Sequence, residues 1–173
     1  MTIGMNNEPG SGMPKQPRQA VYVPPGDGEK APDPIGYPQR EKAGSEVTAG
    51  AYALHEMSKP PGEGPPAHVH ADMEEAFYIL SGEFTFRVGT EEIVAPAGGF
   101  VLVPRGVLHG FWNSGKAEGH YLRLFSPAPA RSTLAMWELL GKRVGEGRER
   151  KEGTTHELFI REVARLQSEG GPS

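Results

Sequence analysis

Four residues in the middle of the chain are of types that bind metal ions: His68, His70, Glu75 and His109. His68 and His70 are two apart, and on a strand such residues point to the same side. Glu75 opens the run Glu75-Ala76-Phe77-Tyr78-Ile79-Leu80, where Phe77 and Ile79 share its face. A carboxylate at the head of a buried apolar stripe is costly unless something compensates its charge. A cation shared with the two imidazoles would do so. His109 lies in register with Val107 and Phe111, again an apolar stripe. Each residue alone has a plainer reading: a surface His pair, a carboxylate at a strand start, a core histidine. Together they make three imidazoles and one carboxylate, suited to Fe, Mn, Ni, Co, Cu or Zn.

The elements that would position them are short strands. From Val47 onward, brief apolar runs alternate with Gly and Pro. The pattern predicts strands over Val47–Glu56, Ala67–His70, Glu75–Leu80, Glu83–Val88, Glu91–Ala95, Phe100–Val103, Val107–Trp112 and His120–Phe125. Turn signals fall between them, among them Pro60-Pro61-Gly62, Ser81-Gly82, Pro96-Ala97-Gly98-Gly99 and Pro104-Arg105-Gly106. Many short strands at this spacing argue for an all-β sandwich or closed barrel. Two helices are expected after it. One is Leu134–Val144, with the stripe Leu134, Trp137, Leu140 and Val144. The other opens on the capping box Thr154–Glu157 and ends near Gln167.

Around this centre, residues 1–20 read as a disordered N-terminus and 21–45 as a Pro-rich extended arm. Residues 46–127 read as the barrel, 128–168 as a C-terminal helical segment and 169–173 as a disordered tail. Within the arm, Val21-Tyr22-Val23 is a candidate edge strand that could pair with the barrel or a partner subunit, and a homodimer is expected.

Composition narrows the chemistry. The 173 residues suit one domain, and 36% are hydrophobic. There is no cysteine, so disulfides, thiolate metal sites and Cys nucleophiles are excluded. Net charge is −4, and the densest charge, Lys142–Glu152, alternates in sign. That reads as a solvated loop, and no nucleic-acid partner is expected. No apolar run approaches the roughly 20 residues that span a bilayer, and no signal-like segment is visible in Met1–Asn7, so a cytoplasmic protein with no membrane partner is expected.

The spacing also resembles the two motifs of the cupin superfamily. Gly62, His68-Val69-His70, Glu75 and Gly82 fit the first motif. Gly98, Pro104-Arg105-Gly106, His109 and Asn113 fit the second, so all ten positions agree. Fifteen residues separate the motifs, and the resemblance covers about 45–127. It implies an antiparallel jelly-roll barrel with one motif pair and a 3-His/1-Glu metal site. The sequence around the site is similar to quercetin-dioxygenase-like cupins. That likeness implies an oxidoreductase acting on an aromatic or enol small molecule, with Glu75 as ligand and catalytic base. Related cupins that are isomerases or cyclases, or that only bind small molecules, leave those alternatives open. Phe77, Ile79, Val107 and Phe111 are expected to give the cavity an apolar lining.

Outside the motifs, Asn113 is expected to bond backbone at a turn, and Tyr78 to lie on the barrel exterior. His55 and His120 are expected at the surface, and Arg87 and Arg123 facing solvent. If they turned inward instead, His55, His120 or Tyr121 could serve as acid or base, and either arginine could hold an anion.

Overall fold

The computed structural model describes residues 19–31, 39–65 and 67–129. Nine strands and one short helix follow in chain order: β1 Glu29–Lys30, β2 Gln39–Ala43, α1 Ser45–Thr48, β3 Ala53–Lys59, β4 Glu74–Ser81, β5 Glu83–Val88, β6 Glu91–Pro96, β7 Phe100–Val103, β8 His109–Asn113 and β9 Gly119–Ser126. They form a six-stranded sheet of order β1-β2-β3-β9-β4-β7 and a three-stranded sheet of order β6-β5-β8. The strand pairings are antiparallel. This is the jelly-roll layout, in which two sheets face each other over one core.

Side-chain alternation explains why the sheets face each other. In β3 and β9 every second residue is buried. From the large sheet Met57, Phe77, Ile79, Val101, Val103 and Tyr121 point inward. From the small sheet Phe84, Phe86, Ala95 and Phe111 meet them. Phe77 packs on Phe86 at 4.9 Å and on Phe111 at 4.7 Å between ring centroids. Such aromatic pairs add to the area they bury.

Several strands depart from the sequence expectation. The run predicted as Val47–Glu56 begins as α1 and becomes strand only at Ala53. Thr48 explains the break: its buried hydroxyl bonds the carbonyls of Gly44, at 3.1 Å, and Tyr52, at 2.6 Å. Ala49 and Gly50 then take left-handed backbone, which no strand accommodates. The Ala67–His70 strand reduces to one bridge, His68 to His109. Beyond it the His70 carbonyl accepts from Gly106 N–H at 2.8 Å, so the segment leaves the ladder. Val21 and Tyr22 are exposed and join no strand, whereas β1 and β2, further along the same Pro-rich stretch, extend the sheet. The expected helices Leu134–Val144 and Thr154–Gln167 lie outside the described residues. No described helix is long and apolar enough to cross a membrane.

Candidate metal centre

Three different elements bring the four candidate residues together. Glu75 projects inward from β4, two residues before Phe77. His109 opens β8 on the opposite sheet. His68 and His70 come from the segment between β3 and β4, held by paired backbone bonds to His109: His68 N–H to His109 O at 2.9 Å and His109 N–H to His68 O at 3.0 Å. Gly64 lets this segment cross β8, because a Cβ there would lie 1.8 Å from the Phe111 carbonyl oxygen.

One donor atom from each of the four residues lies within 4.8 Å of all the others. Glu75 Oε2 is 2.9 Å from His109 Nε2, 3.4 Å from His70 Nε2 and 3.8 Å from His68 Nε2. Glu75 and His109 are buried, while the His68 side chain keeps 31% of its exposure and so marks the open side. Burial alone would raise the Glu75 pKa. Hydrogen bonds from His109, His68 and His70, with the charge of Arg123, outweigh it and hold the carboxyl well below the usual range.

The donor chemistry fits a cation. His109 Nδ1 is 2.9 Å from the Val107 carbonyl oxygen, which can only accept. Nδ1 therefore donates to it, and Nε2 is left facing Glu75 Oε2 at 2.9 Å. A ring nitrogen and a carboxylate oxygen so close need a positive charge between them, either a proton that Nε2 donates to Glu75 or a metal ion. An orienting bond from the far ring nitrogen to a carbonyl is what metal-bound histidines commonly make.

The neighbours of the site correct two expectations. His55 is buried, not at the surface. It shares the inward face of β3 with Ala53 and Met57. Its Nε2 is 3.6 Å from Glu41 Oε2, and neither ring nitrogen has a hydrogen-bond partner among the described residues. Burial first, then the charge of Arg123, lower its pKa to about 3 despite the opposing effect of Glu75. Glu41 is pushed up by burial and by the charges of Glu29 and Glu46. Arg123 is also buried, between Tyr121 and Phe125 on the inward face of β9. Its Nη2 donates to Gln39 Oε1 at 2.5 Å, its Nε is 3.8 Å from Glu75 Oε1, and its guanidinium lies 4.8 Å from the Phe125 ring centroid. Parity was the available signal: each polar residue alternates in step with apolar neighbours that face the core.

The other candidates lie elsewhere. His120 is half-exposed beside Glu118, Arg87 pairs with Glu92 near the surface, and Tyr78 is on the exterior. Asn113 bonds backbone: its Nδ2 donates to the carbonyls of Lys59 and Ala117, both at 2.8 Å, and its Oδ1 accepts from Gly115 N–H. Phe77, Ile79 and Phe111 are taken up in the packed core, with Val107 partly buried against it. Phe125 is an apolar neighbour of the histidines: its ring centroid is 5.3 Å from that of His70, and it clusters with Met73.

Fold and donor set define the class: a small antiparallel jelly-roll with a His/Glu cluster in its interior. Residues 55–125 match the family model described as Cupin domain, and this part of the chain is a cupin. Two solved structures share the fold. One, described as an RmlC-like cupin from Shewanella frigidimarina, is 22% identical, with 67% of this chain and 97% of that chain covered and a TM-score of 0.53. The other, described as a predicted oxalate decarboxylase from Thermotoga maritima, is 21% identical, with 57% and 94% covered and a TM-score of 0.52. No curated protein matches the sequence.

Proposed function

We propose that this cupin binds one divalent transition-metal ion through His68, His70, Glu75 and His109 and uses it as a dioxygenase-like oxidoreductase on an aromatic or enol small molecule. The observation that carries the reading is the convergence of three imidazoles and one buried carboxylate within 4.8 Å. Such an ion would supply Lewis acidity and a contact for a substrate oxygen. In the dioxygenase reaction O₂ is the oxidant and both its atoms enter the product, so no external reductant is needed.

The chain's own residues would do the rest. His68, on the open side, borders the entry path. Phe125, whose ring lies 5.3 Å from that of His70, and Met73 place apolar side chains beside the histidines, which suits an aromatic or enol skeleton. Glu75 is ligand and, in this reading, the group that takes the substrate's proton. As a ligand of a cation it would be a weak base, so the substrate proton must itself be acidic, as an enol or phenol proton becomes beside a cation. A second reading, a metal-dependent isomerase or cyclase, is favoured by the interior positions of His55 and Tyr121, which put further acid–base groups inside the barrel.

Metal analysis of protein purified without added metal is the first test, followed by O₂ uptake with flavonols and catechols. One transition-metal ion per chain and its loss in the His68→Ala, His70→Ala double variant support the site. Full occupancy in that variant refutes it. Turnover without O₂ uptake moves the assignment to the isomerase or cyclase.

A further inference from the structure

The two oxygens of Glu75 face different partners. Oε2 is turned to the histidines, 2.9 Å from His109 Nε2 and 3.4 Å from His70 Nε2. Oε1 lies 3.8 Å from Arg123 Nε, within ion-pair distance. The last torsion of a glutamate is broad, so its carboxylate plane turns easily when nothing holds it. A carboxylate left to turn can offer a cation one oxygen or both. A positive charge beside the far oxygen limits that choice.

The guanidinium is itself held. Its Nη2 donates to Gln39 Oε1 at 2.5 Å, and it lies 4.8 Å from the Phe125 ring centroid. On β9, Arg123 is flanked in register by His55 of β3 and Phe77 of β4. The guanidinium carries its donors in a rigid fork, so fixing one arm aims the others. Gln39 is buried and opens β2, outside residues 55–125 that match the cupin model. A strand that brings no metal ligand thus reaches the carboxylate of the site through one intermediary.

Resting on the metal-binding reading above, the geometry points to Arg123 and Gln39 as positioning residues of the metal centre: Gln39 holds Arg123, Arg123 holds Glu75 Oε1, and Glu75 coordinates the ion through Oε2 alone. The charge of Arg123 by itself would repel a dication. Its contribution is orientation, which fixes how many carboxylate oxygens the ion receives.

Infrared difference spectra of the full-length protein with and without cobalt(II), with its glutamate carboxyls isotope-labelled, read that number. A carboxylate bound through one oxygen separates its two C–O stretches more widely than one bound through both. The Glu75 band is identified by its loss in Glu75→Gln. A wide separation is expected in the wild-type protein. Arg123→Met should narrow it and lower the visible absorption of cobalt roughly twofold, as the ion gains a donor atom. Gln39→Met should move both signals the same way, and Gln39→Glu, which keeps an acceptor for Nη2, should stay at the wild-type values. A narrow separation in the wild-type protein overturns the proposal, whether or not the variants fold. Wild-type signals in folded Arg123→Met overturn it as well. Lower thermal stability with both signals unchanged marks a packing role alone and counts against it. Wild-type signals in Gln39→Met, with Arg123→Met altered, overturn the role given to Gln39. Failure of the wild-type protein to retain cobalt overturns the metal reading itself, and this proposal with it.

Discussion

Two interior side chains, one charged and one neutral, carry opposite expectations. Glu75 accepts hydrogen bonds from the imidazoles and is proposed to combine ligand and proton acceptor in one carboxylate. Glu75→Gln keeps the shape and removes the charge. Turnover of the true substrate should fall by two orders of magnitude or more, within the range general-base loss produces, with a smaller loss of metal. Unchanged turnover would remove the base role. His55 is buried neutral, with its pKa pushed down to about 3 from an ordinary 6.5. Between those values the unfolded chain binds a proton at this residue and the folded chain does not. Stability should therefore rise with pH from about 3 to 6.5 and level off above, by up to about 1.4 kcal/mol per unit. Urea midpoints between pH 4 and 7 should show this slope in the wild-type protein and a shallower one in His55→Gln. Parallel curves would mean that His55 is solvated or shares a proton.

At the scale of elements, the segment between β3 and β4 is the vulnerable part of the site. It reaches β8 through the one-residue bridge at His68 and through the close approach at Gly64. Gly64→Ala would drive a methyl into the Phe111 carbonyl, which is backbone and cannot rotate away. A loss of about 1–3 kcal/mol is expected, read as a lower thermal midpoint, together with weaker metal retention. An unchanged midpoint would show that the segment shifts freely. The same contrast explains what the sequence made legible. β5 and β7 were located residue for residue, because their apolar runs lie between clear turn signals. The His68–His70 segment is too short for any periodicity, and its place depends on a partner 41 residues away. All four metal-ligand candidates could be named from spacing, because strand alternation and the two motifs fix which residues face inward. Arg123 and His55 were misplaced because a polar residue amid apolar ones was read as solvent-facing. β2 went unrecognised because Gln39-Arg40-Glu41-Lys42-Ala43 has no apolar alternation, its inward side being the polar pair Gln39 and Glu41.

Across the whole molecule, the outer face of the large sheet is the conspicuous surface. Tyr78 and Leu80 on β4 and Phe100 and Leu102 on β7 are each at least 44% exposed, and Tyr78 pairs directly with Phe100. Neighbouring apolar side chains of this size commonly mark an interface. We expect this face to join two copies of the chain. Light scattering should give a dimer mass for the full-length protein and a monomer mass for Phe100→Glu, with metal content unaltered. A wild-type monomer would exclude the assembly.

The position of β9 has a consequence for how the protein comes into being. The last strand of the described residues sits in the middle of the large sheet, between β3 and β4. All four proposed ligands have emerged by residue 109, yet β3 and β4 are not joined in one sheet until residues 119–126 pair with both. The Gln39–Arg123 contact closes a separation of 84 residues. Folds dominated by such distant pairings form slowly. A growing chain would thus display its histidines on an unclosed sheet, and selective capture of the ion would wait until synthesis of the barrel is complete.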